Sequence, residues 1–209
     1  MRGKAKNITT VGMLCALAYA AAAMGRVPLV LFLKYDPKDI IIAVSGLIFG
    51  PLTSFAVALT VSLIEMFTIS ETGILGFAMN VISSCSFACT ASYIHKRRSA
   101  FAGAVAGLLW GWACMVLVML LWNYLLAPIY MGGSREDIVE LLLPAFLPFN
   151  LIKGGLNTAV TMLLYKPVVT ALRRSHLLEE APAESKGKIN IGVILVSLLV
   201  LASCVLFIL

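Results

Sequence analysis

The sequence predicts an all-α integral membrane protein with six membrane helices and a seventh near the C-terminus. Three observations carry this. Of 209 residues, 61% are hydrophobic and only 12% charged, and the mean hydropathy of +0.99 lies far outside globular composition. Charge-free runs recur at about the roughly 20 residues that a helix needs to cross some 30 Å of hydrocarbon. The 16 Lys and Arg residues gather mainly at the ends of those runs. No soluble catalytic domain fits in what remains, and no Gly-rich phosphate loop ending in Lys-Ser/Thr is present, so any use of ATP belongs to a partner.

The first run, 8–25, follows Arg2, Lys4 and Lys6. Its alanines at Ala20 to Ala23 imitate a signal cleavage site, but the chain continues into Val27-Pro28-Leu29 with no polar segment, so the run is read as a retained span. Runs 40–50 and 52–69 follow. At eleven residues the former makes only about 16 Å of helix, so the pair could be one kinked span. Charge parity decides against that: a single crossing would put Lys96, Arg97, Arg98, Arg173 and Arg174 outside, against the positive-inside tendency. A reversal at Gly50-Pro51 returns every basic cluster, including the N-terminal one, to the cytoplasmic side. The fourth, fifth and sixth spans are 73–94, 101–126 and 144–172. Residues 1–175 thus form a six-helix unit, 176–189 a polar cytoplasmic linker with Pro182 and Gly187, and 190–209 a seventh span.

The net charge of +6 is accounted for by these short flanks, which favours the lipid bilayer rather than nucleic acid as the partner. All five cysteines lie inside apolar runs without a two-residue spacing, and Cys85 and Cys89, four apart, read as small packing residues. His95 and His176 sit at span ends, where interfacial roles suit them. No internal repeat of the inverted-transporter kind is visible.

Polar groups inside spans are informative because an ionisable group at mid-bilayer costs about 2.5–3.5 kcal/mol on insertion scales. Asn150 and Lys153 stand three residues apart on one face of the sixth span. Asn123 lies near the outer end of the fifth span and Asn80 inside the fourth; each alone could equally be helix glue. Tyr35 and Asp36 belong to an outer loop, and Asp39 reads as the N-cap of the second helix. Glu65, near the outer end of the third span, is left open between an interfacial and a pocket acid. Together these residues predict a pocket open to the outside, lined by amides and one cation and walled by Phe, Trp, Tyr and Met, suited to a neutral, flat, hydrogen-bonding molecule. No His-Glu-x-x-His, Gly-x-Ser-x-Gly or paired aspartates in adjacent spans supports catalysis.

The segments Leu33-Lys34-Tyr35-Asp36-Pro37-Lys38-Asp39-Ile40, Gly46-Leu47-Ile48-Phe49-Gly50-Pro51, Gly76 to Asn80, and Pro148-Phe149-Asn150-Leu151-Ile152-Lys153-Gly154 resemble the riboflavin-binding substrate subunits (RibU type) of energy-coupling factor transporters. The resemblance covers about residues 8–174. It implies a six-helix substrate-binding subunit without enzymatic activity or cofactor, which captures riboflavin from outside and assembles with a transmembrane coupling protein and two cytoplasmic ATPases. It also implies that Asn123, Asn150 and Lys153 surround the flavin, under a loop that follows the first helix; Tyr35, Asp36 and Asn80 are read with them as substrate-binding residues. Small residues on the first helix would dock the coupling protein, the face of Ala18 and Ala22 being favoured over that of Ala16, Ala20 and Ala23. The seventh run departs from the six-helix pattern. Another vitamin or heterocyclic compound as substrate is the neighbouring reading, and a lipid-modifying membrane enzyme the reading from a different class.

Overall fold

The computed structural model describes residues 2–30, 33–70, 72–98, 101–132, 134–175, 177 and 191–208. The chain-order elements are α1 (Arg2–Gly25), a hairpin of β1 (Val27–Val30) and β2 (Leu33–Tyr35), α2 (Lys38–Phe49), α3 (Pro51–Thr68), α4 (Gly73–Arg97), α5 (Phe101–Met131), α6 (Arg135–Leu141), a π turn (Leu142–Phe146), α7 (Leu147–Arg174) and α8 (Ile191–Ile208). The linker predicted at 176–189 lies outside the described residues apart from Leu177. Helices α1, α3, α4, α5 and the α6–α7 stretch contain segments long and apolar enough to cross a bilayer. At 12 residues, α2 is only about 18 Å long.

The reversal at Gly50-Pro51 is present. Gly50 has φ 98°, a left-handed conformation natural for glycine, and its N–H closes α2 on the Gly46 carbonyl. Pro51 then starts α3, where its missing N–H costs nothing. Gly50 shares a small surface depression with His95 and Lys96, so the turn and the basic end of α4 occupy one end of the bundle. The hairpin, α6 and the π turn occupy the other.

Helix α4 is central, packed on α2, α3 and α5. Its approach to α5 is set by Gly107 and Gly111, where an added Cβ would strike the backbone carbonyls of Ala91 and Phe87. Close backbone contact through small residues is the means by which helices associate in lipid, where apolar burial supplies little drive. Helix α7 packs on α2, α5 and α8. Ser197 of α8 meets Met162, and Cys204 lies against Gly155, so α8 runs antiparallel to α7.

Helix α1 lies on α2 and α3 along Thr10, Leu14, Ala18 and Ala22, an i, i+4 stripe. This corrects one expectation: Ala18 and Ala22 are 0% exposed within the subunit, so this pair is internal packing and presents nothing to a partner. Among the residues of α1 whose side chains are described, the glycine and alanines left exposed are Gly12, Ala16, Ala20 and Ala23.

Two local features went unforeseen. The connection from α1 to α2 is an antiparallel hairpin pairing Val27 with Tyr35 and Pro28 with Lys34. The outer loop contains α6, opened by a reciprocal capping box between Ser134 and Asp137. The π turn follows directly, with the Leu147 N–H bonded back to the Leu142 carbonyl. Pro148, lacking an N–H, leaves the Pro144 carbonyl without an α-helical partner, a sequence cause for this irregular backbone beside the cavity.

Candidate functional site

Under the hairpin lies a cavity of about 230 Å³. Its walls are Met79 of α4, Met119 of α5, Phe146 of the π turn, Phe149 of α7 and Leu33 of β2. Asn80, Ser83, Asn123, Asn150 and Lys153 supply polar groups, and Arg26, Lys34, Asp36, Ser70 and Thr72 complete the lining. Ligand pockets usually exceed about 300 Å³, so a ligand larger than a compact ring system must extend towards the mouth.

Five of the six residues predicted for the pocket, Asp36, Asn80, Asn123, Asn150 and Lys153, line this one cavity. Tyr35 does not. Leu33, Lys34 and Asp36 border the cavity, whereas the Tyr35 hydroxyl donates to Asn157 Oδ1 of α7 at 2.9 Å. Burial, then the carboxylates of Asp39 and Asp36, push the Tyr35 phenol up, so it stays protonated and serves as the donor.

The amides are oriented by their own helices. Asn150 donates one N–H to the Phe146 carbonyl and Asn123 one to the Met119 carbonyl, both at 2.8 Å. A helical asparagine anchored this way through one N–H presents the rest of its amide sideways, for Asn150 into the cavity. The Lys153 ammonium lies 3.0 Å from Asp39 Oδ2 and 3.1 Å from Ser83 Oγ.

Asp39 is not a helix cap. Pro37 holds that position without any side-chain bond, and Asp39 turns inward from the first turn of α2, 0% exposed. A carboxylate so close to a buried ammonium gains more as its counter-ion than at a solvated helix end. Ser84 donates to its Oδ1, and Asn157 Nδ2 is 3.4 Å from its Oδ2.

A second ionic group ties the hairpin down. Lys38, 1% exposed, bonds Glu65 and lies 3.1 Å from Asp36. Arg26 reaches Glu65 at 3.3 Å and Asp36 at 3.4 Å. Asn80 donates to Glu65 at 3.2 Å. The expectation of a single cation is therefore corrected: Arg26 and Lys34 join Lys153 in the lining, Arg26 being paired with Asp36 and Glu65 and Lys153 with Asp39. Burial pushes the Asp36 carboxyl up, but Lys38, Lys153 and Arg26 together outweigh it and hold the group below the usual carboxylate range.

Sequence reasoning missed Arg26, Lys38, Ser83, Ser84 and Asn157. One signal was available: Glu65 inside a span requires a cation, and Lys38 and Arg26 stood at the same predicted end.

The family model for the substrate-specific component of ECF transporters matches residues 6–165. The chain belongs to this family. The S component is thus a multi-pass membrane protein that works with an ECF module, and it is a transporter component, not an enzyme. It is similar to the riboflavin transporter FmnP of Bacillus subtilis, 28% identical over 188 residues that cover 83% of this chain and 99% of that protein. It is also similar to the riboflavin transporter RibU of Staphylococcus aureus, 26% identical over 179 residues, covering 81% and 93%. A solved S component of a bacterial ECF transporter superposes with a TM-score of 0.69 at 27% identity, covering 82% of this chain and 99% of that one.

Proposed function

We propose that this S component captures riboflavin in the cavity beneath the hairpin and delivers it with a transmembrane coupling protein and two cytoplasmic ATPases. The observation that carries the reading is the meeting of Lys153, Asn150 and Asn123 in one cavity whose lining also holds Met79, Met119, Phe146 and Phe149. A flavin's pyrimidine-like edge offers two carbonyl acceptors and an imide N–H. An ammonium can donate to the former, and an asparagine can both donate and accept. The dimethylbenzene ring suits the apolar walls, and the ribityl hydroxyls suit the mouth, where Asp36, Ser70 and Thr72 stand.

Riboflavin enters from outside, because the cavity end carries the hairpin while Lys96, Arg97, Arg173 and Arg174 mark the other end as cytoplasmic. The N-terminus of α1 is then cytoplasmic as well. Docking on the coupling protein falls to the exposed Ala16, Ala20 and Ala23 face of α1.

Titration of detergent-purified protein with riboflavin, read by fluorescence quenching, tests this. Lys153→Ala removes a charge-assisted hydrogen bond worth about 1.5–3 kcal/mol, or about 10–150-fold in affinity. Parent-like affinity in both Lys153→Ala and Asn150→Ala would place the ligand elsewhere.

A further inference from the structure

Lys153 does not meet the cavity as a bare charge. An ammonium has three N–H donors; Asp39 takes one at 3.0 Å and Ser83 another at 3.1 Å. Among the described residues no further partner for the third is found, and the side chain borders the cavity. Asp39 itself is out of a ligand's reach. It is 0% exposed and held on its far side by Ser84 of α4 and Asn157 of α7, the latter accepting the Tyr35 hydroxyl from β2.

The charge balance extends through the neighbouring cluster. Arg26 and Lys38 are paired with Asp36 and Glu65, and Lys153 separately with Asp39, while Lys34 stands in the cavity lining as well. A buried cation without a counter-ion favours an anionic ligand, because the ligand supplies the missing charge. A neutralised one offers directed N–H donors with little net field, which suits a carbonyl oxygen.

We propose that Asp39 is the specificity-determining positioning residue of this site: by cancelling the Lys153 charge and fixing its ammonium, it makes the cavity select an uncharged carbonyl acceptor over an anionic one. The proposal rests on the riboflavin reading and deepens it. A flavin supplies both ligand forms in one molecule, since loss of its weakly acidic imide proton turns the neutral edge into an anion. Asp39 keeps the bound flavin neutral. The other charged or titratable groups near that edge are Arg26 following α1, Lys34 and Tyr35 of β2, Asp36, and the Lys38–Glu65 pair between α2 and α3.

The test compares the full-length parent, Asp39→Asn, Lys153→Gln and the double variant, each purified in detergent. Riboflavin affinity is measured by fluorescence quenching, and imide ionisation by the absorbance of the bound flavin during alkaline titration. With Asp39→Asn the ionisation constant of bound flavin should rise about tenfold over the parent, a shift of about one pH unit. In the Lys153→Gln background, Asp39→Asn should change affinity by less than about twofold, because its effect passes through the ammonium. Unchanged ionisation in Asp39→Asn overturns the proposal. So does a further loss of about tenfold or more in the Lys153→Gln background, which would mean that Asp39 acts independently of Lys153. If Asp39→Asn alone does not fold, the comparison in the Lys153→Gln background, where both charges are removed, decides. A folded parent that does not bind riboflavin overturns the functional reading itself, whereas a parent that binds while both variant results fail overturns only the role of Asp39.

Discussion

Replacing Glu65 by Gln removes one of the two carboxylates that neutralise Arg26 and Lys38. Glu65 is 0% exposed and Lys38 1%, so water cannot take over the lost role. Asp36 remains, 3.1 Å from Lys38 and 3.4 Å from Arg26, but one carboxylate cannot neutralise two cations. Breaking a buried pair by removing one partner costs about 3–5 kcal/mol. At about 2–4 °C per kcal/mol for a chain of this size, thermal unfolding in detergent should fall by about 6–20 °C. The companion variant Lys38→Met with Glu65→Leu leaves Arg26 paired with Asp36 and should recover most of the loss, since apolar replacement of a whole buried pair is often neutral. Followed by tryptophan fluorescence on heating, a Glu65→Gln midpoint within about 2 °C of the parent would refute the argument that this cluster is a desolvated, mutually dependent unit.

The hairpin should be insensitive to mild acid. Because the folded Asp36 carboxyl is held below its ordinary range, its stabilisation is complete above about pH 4 and is lost only as pH falls through the lowered value; the protection of the β1 and β2 amides against hydrogen exchange, taken relative to their intrinsic rates at each pH, should be equal at pH 7 and pH 5, and weaker protection already at pH 5 would contradict this. Gly107→Leu would drive a side chain into the Ala91 carbonyl and should abolish the folded protein, measured as monodisperse material on size exclusion, whereas Gly12→Ala, with open space at its Cβ, should behave as parent. Ala18→Trp with Ala22→Trp should destabilise the subunit itself, because both positions are buried; Ala16→Trp with Ala20→Trp should leave riboflavin binding intact and block ATP-driven uptake, and persistent uptake would move docking to another surface.

Much of the fold was legible because the bilayer imposes a simple code. Apolar runs of span length, basic flanks and the Gly50-Pro51 break are local signals, and the helices follow them to within a few residues apart from α1, which starts already at Arg2, and α5, which continues past Pro128 to Met131. Asn123, Asn150 and Lys153 were legible for the same reason: a polar residue inside a span is costly and must have a partner. The partners were not legible, since pairing across α2, α3, α4 and α7 depends on helix rotation that a weakly amphipathic sequence leaves undefined. Asp39 shows the limit. Its position just after Pro37 fits a cap, and only the inward turn of α2 makes it the counter-ion of Lys153. Helix α1 shows the same limit, having alanines on both faces; the choice of Ala18 and Ala22 for the buried face is made by contacts with α2 and α3.

A crystal structure of the protein with riboflavin bound is the most direct measurement. The account predicts the isoalloxazine ring between Met79, Met119, Phe146 and Phe149, with a ring carbonyl about 2.7–3.2 Å from Lys153 Nζ and the pyrimidine edge within hydrogen-bond distance of Asn150. A flavin seated elsewhere, or one in this cavity with its dimethylbenzene edge against Lys153, would contradict it.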